Sequence, residues 1–130
     1  MKKGFATIEF GKKPKKLIDL SNKKKLEQIV NKIPKDKDSL FAFPVNWELA
    51  QKANLIESKI RPWVTARSKE YMGTEEPMFI NMVISRLKKK ESAKKIMKKV
   101  KFVLEEDTEV FVMKLWRMMI FQLLKAEAEM

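Results

Sequence analysis

Apolar side chains recur at helical spacing along most of this chain. Leu26, Ile29, Val30 and Ile33 follow the i, i+3, i+4, i+7 pattern and predict a helix over 23–33. Asn22 is its expected N-cap, and Pro34 ends it, because a residue before proline avoids helical backbone angles. Residues 35–45 are expected to form a loop carrying an apolar patch of Leu40, Phe41 and Phe43. Asn46 is placed to cap a short helix from Trp47 to about Asn54, and 55–61 continues helically. Pro62 interrupts this run, either as a kink or as the first turn of a new helix. That helix extends through Tyr71 to Met72, with Gly73 as a left-handed C-cap.

Thr74 is the next expected N-cap, and Glu75 and Glu76 suit the positive end of the helix that carries Phe79, Ile80, Val83, Ile84 and Leu87. Ser92 is expected to cap a helix over 93–104. Its apolar stripe is Ala93, Ile96, Met97, Val100, Val103 and Leu104. Glu105, Glu106 and Asp107 lead into a last helix, about 108–126, which is apolar almost all round and belongs in the middle of a bundle. The fold class is therefore all-α, a bundle of four to five helices over 22–130. Residues 1–21 hold few apolar side chains and read as a basic, mostly flexible extension, with room for a short strand at 5–10.

Charge changes this picture. The chain of 130 residues carries 29 Lys and Arg against 17 Asp and Glu, a net charge of +12. Residues 1–25 contribute +7 and residues 86–101 contribute +8, so the rest is slightly acidic. The first patch is Lys12, Lys13, Lys15, Lys16, Lys23, Lys24 and Lys25 with Lys2 and Lys3. The second includes Lys88, Lys89, Lys90, Lys94, Lys95, Lys98, Lys99 and Lys101. A lysine face can serve solubility alone, but two patches with almost no interspersed acid favour a polyanionic partner.

Candidate chemistry narrows the choice. The absence of Cys and His excludes thiol and triad catalysis, disulfides and the common zinc sites. Three glycines cannot build a phosphate-cradling loop. Glu75/Glu76 and Glu105/Glu106 sit at expected helix starts, without a nucleophile or base near them in sequence. A non-enzyme is expected, with no cofactor and no metal. No apolar run is long enough to span a bilayer, and the basic start lacks a signal-peptide core, so the chain is read as intracellular. Trp47, Trp63 and Trp116 fall on apolar stripes and are read as core, though indoles can also stack on bases. Most of the nine methionines are assigned to core filling. The 93–104 helix could also lie on an anionic membrane or bind calmodulin, but its apolar face lacks Trp and is needed to close the bundle.

The segment Lys59-Ile-Arg-Pro-Trp-Val-Thr-Ala-Arg67 resembles the signature of the PWI domain family, with Val64 in the position of the final Ile. Ser39–Trp47, Glu70–Pro77 and Val110–Arg117 resemble the flanking blocks of PWI domains from RRM-containing splicing regulators. Together they cover about residues 22–126. The resemblance implies a four-helix bundle in a nuclear pre-mRNA processing protein. It also implies binding of RNA, and of DNA in vitro, together with an adjoining basic segment and little sequence preference. Pro62, Trp63 and Val64 are carried over as structural positions. Lys3–Phe10 resembles the RNP1 octamer of RRM domains, but Thr7 replaces the middle aromatic and most of an RRM is missing. Phe5 and Phe10 stay as candidate stacking residues.

The expected function is a non-catalytic RNA-binding module of a splicing protein, whose lysines grip the phosphate backbone. The alternative is a protein-interaction module that docks on other splicing factors, with Leu40, Phe41 and Phe43 as its surface if they are exposed.

Overall fold

The computed structural model describes residues 20–129. The strand expected at 5–10, the RNP1-like octamer, and Lys12, Lys13, Lys15 and Lys16 lie outside the described residues. The chain divides into two units between Lys32 and Ile33. The first contains α1 (Leu20–Lys32), which stops two residues before Pro34 as that proline requires. Asn22 lies inside this helix and is not its cap. Lys23, Lys24 and Lys25 are exposed on it.

The second unit opens with α2 (Lys37–Ala42), where a loop was expected. The Asp36 carboxylate accepts the Ser39 N–H at 3.0 Å, which nucleates one short turn between Pro34 and Pro44. Leu40, on α2, is fully buried. Helix α3 (Trp47–Lys52) starts from Asn46, whose Oδ1 accepts the Leu49 N–H at 3.0 Å. The chain then runs through Asn54, at φ +55, into a π-helical turn over Ile56–Ile60. Arg61 N–H reaches back five residues to the Ile56 carbonyl. Pro62 explains this widened turn. It has no N–H to give to Ser58, and its ring would crowd that carbonyl in a regular helix.

Helix α4 (Arg61–Met72) follows without a break and ends on Gly73 at φ +78, as expected. The next helix, α5 (Pro77–Lys88), starts later than Thr74. Glu76 holds the cap position and makes no side-chain cap bond. The fully buried Ser68 hydroxyl instead ties this connection down. It donates to the Thr74 carbonyl at 3.1 Å and accepts the Glu76 N–H at 3.0 Å. A tertiary contact from α4 thus does what a local cap was expected to do.

After α5 the chain turns on Lys90, at φ +64, and enters α6 (Ala93–Leu104). Ser92 caps it by accepting the Lys95 N–H at 3.3 Å. A 3-10 turn over Glu105–Asp107 leads into α7 (Thr108–Ala128). Helix α7 packs against α6, α2 and the π-helical turn, and α4 packs against α5. The core includes Ile60, Val64, Val83, Leu87, Ile96, Val100, Phe111, Leu115 and Ile120, all fully buried. Val103 and Val110, assigned to apolar stripes, are 40% and 48% exposed: Val103 lies at the edge of the buried stripe of its helix, and Val110 faces away from the one formed by Phe111, Val112 and Leu115.

Two aromatic clusters organise α7. Phe111 meets Trp63 at 5.8 Å, Tyr71 at 6.1 Å and Phe79 at 5.6 Å. Trp116 meets Phe41 at 6.5 Å and Trp47 at 6.2 Å, both edge-on. Trp116 is buried, whereas Trp47 and Trp63 are half-buried with one side on these rings. Val64 is fully buried behind Trp63 and Pro62 is exposed in the first turn of α4.

Candidate nucleic-acid interface

The second lysine patch is built by α6 and the turn before it. Helix α6 buries Ala93, Ile96, Val100 and Leu104 along one stripe. At 100° per residue, that stripe leaves two outward rows. Lys94, Lys98 and Lys101 form one, and Lys95 and Lys99 form the other; all five are exposed. Lys88, Lys89 and Lys90 extend the patch over the end of α5 and are exposed as well.

Ion pairs decide which of these charges are available. Glu91 is the sole acid between residues 86 and 101, and Arg86 engages it at 2.9 Å. That pair is neutral, so the acid does not offset the lysines around it. Lys88 differs from its neighbours, since it donates to Glu57. Glu57 also accepts Arg61 Nε at 2.6 Å, and Arg61 Nη1 donates to Asn81 Oδ1 at 2.8 Å. Lys88 is thereby drawn into a network that ties the π-helical turn to α5. Among the described residues, no salt bridge involves Lys89, Lys90, Lys94, Lys95, Lys98, Lys99 or Lys101.

The Arg61 hydrogen bond, and then that of Lys88, lowers the Glu57 carboxyl pKa from its ordinary 4.5 to about 2. The network therefore stabilises the fold fully above about pH 4.5, and this contribution fades as pH falls towards 2. Glu57→Gln should cost about 1 kcal/mol near pH 7, because water reaching the carboxylate screens much of the gain. Urea unfolding at pH 7 and pH 3 checks this: the gap between wild type and variant should shrink at the lower pH.

The two lysine rows have different surroundings. The row of Lys94, Lys98 and Lys101 borders a groove of about 560 Å³ whose other wall carries Glu105, Glu106 and Glu109. Glu109 also pairs with Lys37 at 3.4 Å. Neither Lys95 nor Lys99 lines that groove. Phe102, which is not part of the apolar stripe, lies between the two rows and is 78% exposed. Its signal was its offset of two residues from both Val100 and Leu104, which turns it away from the core.

Of the patch of Leu40, Phe41 and Phe43, Phe41 lines the groove beside α6 and the other two do not. Leu40 is fully buried, and Phe41 and Phe43 pack against the core. Glu75/Glu76 and Glu105/Glu106 lie at the starts of helical segments on the surface. Among the described residues, no cluster of three or more acidic, His or Cys side chains could hold a metal ion, and no helix is long and apolar enough to cross a membrane.

This arrangement is a helical bundle with a lysine face on one helix and the Pro-Trp-Val segment opening another. Residues 58–125 match the PWI domain family, and the chain belongs to it. It is 36% identical over 100 residues to RNA-binding protein 25 of Homo sapiens, covering 77% of this chain and 12% of that protein. It is 31% identical over 102 residues to RNA-binding motif protein 25 of Arabidopsis thaliana, covering 78% of this chain and 11% of that one. A third relative is U1 snRNP-associated protein usp107 of Schizosaccharomyces pombe, 28% identical over 111 residues, covering 85% and 16% respectively. The chain thus spans well under a fifth of the length of these relatives.

Proposed function

We propose that this chain is a non-catalytic RNA-binding module of a nuclear pre-mRNA splicing protein. The basic tail, residues 2–25, and the lysine face of α6 grip the phosphate backbone, while the bundle gives α6 a rigid base. The observation that carries this reading is the set of exposed lysines on α6 with no acid engaging them, on a helix whose other side is core. The relatives named for RNA binding and for U1 snRNP association support the splicing context. Lysine is a compact point charge with little geometric demand, so sequence preference is weak. Other splicing factors are further partners, and single-stranded DNA can replace RNA in vitro on the same electrostatic grounds.

Fluorescence anisotropy of a labelled, unstructured RNA tests this across a salt series, using the full chain and a variant lacking residues 1–25. Affinity should fall steeply with salt and drop again on deletion. If the full chain fails to bind at low salt, the protein-interaction reading takes over. The groove between the Lys94 row and Glu105, Glu106 and Glu109 is then the surface to probe, since its walls of opposite charge suit a peptide carrying both signs.

A further inference from the structure

We infer that Phe102 is a base-stacking platform for single-stranded RNA; this rests on the RNA-binding reading and assigns one base to one ring. Phe102 contributes little to the bundle. It stands opposite the stripe of Ala93, Ile96, Val100 and Leu104 and is 78% exposed. A lysine in its place would leave the packing unchanged and avoid presenting an aromatic ring to water.

Its neighbours define the ligand. Side chains on a helix lean towards its N-terminus, so the ring lies over the preceding turn, that of Lys98 and Lys99 at i−4 and i−3. Lys95, at i−7, continues the same line. Phe102 also shares a shallow surface depression with Lys98 and Lys101. An apolar, flat surface framed by ammonium groups matches a nucleotide, which presents a π-face beside an anion. A duplex hides its base faces, so the match is to a single strand. A membrane fits less well, because the remaining apolar side chains of α6 are mostly spent in the core and one ring anchors weakly.

The acids define a direction. Glu105 and Glu106 close the same depression at the C-terminal end of α6. They repel phosphates there. The strand therefore leaves Phe102 towards Lys99, Lys98 and Lys95 and on to Lys90 and Lys89, where no acid engages the lysines.

The test compares wild type, Phe102→Ala and Phe102→Leu by anisotropy on a labelled single-stranded RNA and on a strand of equal length carrying abasic sites. Phe102→Ala should bind RNA about tenfold more weakly, as expected for one stacked base, with an unchanged salt slope. Phe102→Leu should resemble Phe102→Ala, and all three proteins should bind the abasic strand alike. Circular dichroism should show unchanged melting, since the ring is outside the core. Wild-type affinity for RNA in Phe102→Ala would overturn this assignment while leaving the RNA-binding reading intact. Full affinity in Phe102→Leu would overturn stacking in favour of a plain apolar contact. No RNA binding by wild type would overturn the RNA-binding reading itself and this inference with it. Loss of binding to phosphatidylserine vesicles in Phe102→Ala, with RNA binding unmoved, would assign the ring to a membrane instead.

Discussion

Phe111→Ala is expected to destabilise the fold by about 3–5 kcal/mol, the range for truncating a large buried aromatic. The ring is fully buried and is the shared neighbour of Trp63, Tyr71 and Phe79. These three come from α4 and α5, so Phe111 joins α7 to both helices of the other pair. Removing it leaves a void bordered by rigid rings that cannot collapse without shifting two helices. Domains of this size have about 5–15 kcal/mol in total, so the variant should sit near its unfolding threshold at 37 °C. Guanidinium unfolding followed by circular dichroism measures it. Phe111→Leu should lose much less, because the volume is largely kept. A loss under 1 kcal/mol for the alanine variant would mean that the aromatic cluster is not what joins the helices.

Reversing lysines on α6 is expected to have the largest effect on binding. Lys95→Glu with Lys99→Glu removes the row that does not border the groove walled by Glu105, Glu106 and Glu109. For a single strand, each lost phosphate contact lowers the logarithmic salt slope by about 0.7. Two losses, together with the repulsion that the new acids add, should weaken RNA binding more than tenfold near 0.1 M salt. Stability should not follow. Lys95 is the third helical residue behind the Ser92 cap, a position where an acid completes a capping box. The variant should therefore melt at or above the wild-type temperature while binding worse. The companion variant, with Lys94, Lys98 and Lys101 reversed, should lose less per charge, because Glu105, Glu106 and Glu109 already weaken that row. If neither variant changes affinity or slope, α6 has no part in binding.

Much of the bundle was legible in the sequence where the signal was local. Asn46, Gly73 and Ser92 each mark a helix end through their own hydrogen bond or backbone angle, and each does so in the structure. The near-continuous apolar run of 108–126 could only be a central helix. What escaped was short or tertiary. Six residues of α2 are too few to display a helical period, and prolines on either side suggest a loop. Thr74 had the right side chain for a cap, but Ser68, six residues earlier and fully buried, took over the connection. Glu57 and Lys88 are 31 residues apart, and no pattern along the chain joins them.

The same limit applies to the candidate interface. Its lysines were visible as a charge run, and their exposure on α6 follows from the stripe opposite. The difference between the two rows was not visible, because it depends on where α7 begins and which way its first acids face. Phe102 was readable in principle from its offset to Val100 and Leu104. Its exposure alone does not mark it as a contact, since single apolar side chains are common on protein surfaces.

The turn between α5 and α6 has an evolutionary consequence. Lys90 adopts φ +64, a region that costs an ordinary side chain about 1 kcal/mol and glycine almost nothing. Selection for thermal stability alone would drift this position to glycine. Selection for polyanion binding would hold a cation there against that gain. If Lys90 contacts a polyanion, homologues should split by phenotype at position 90, with glycine where such binding is absent and a basic residue where it is kept.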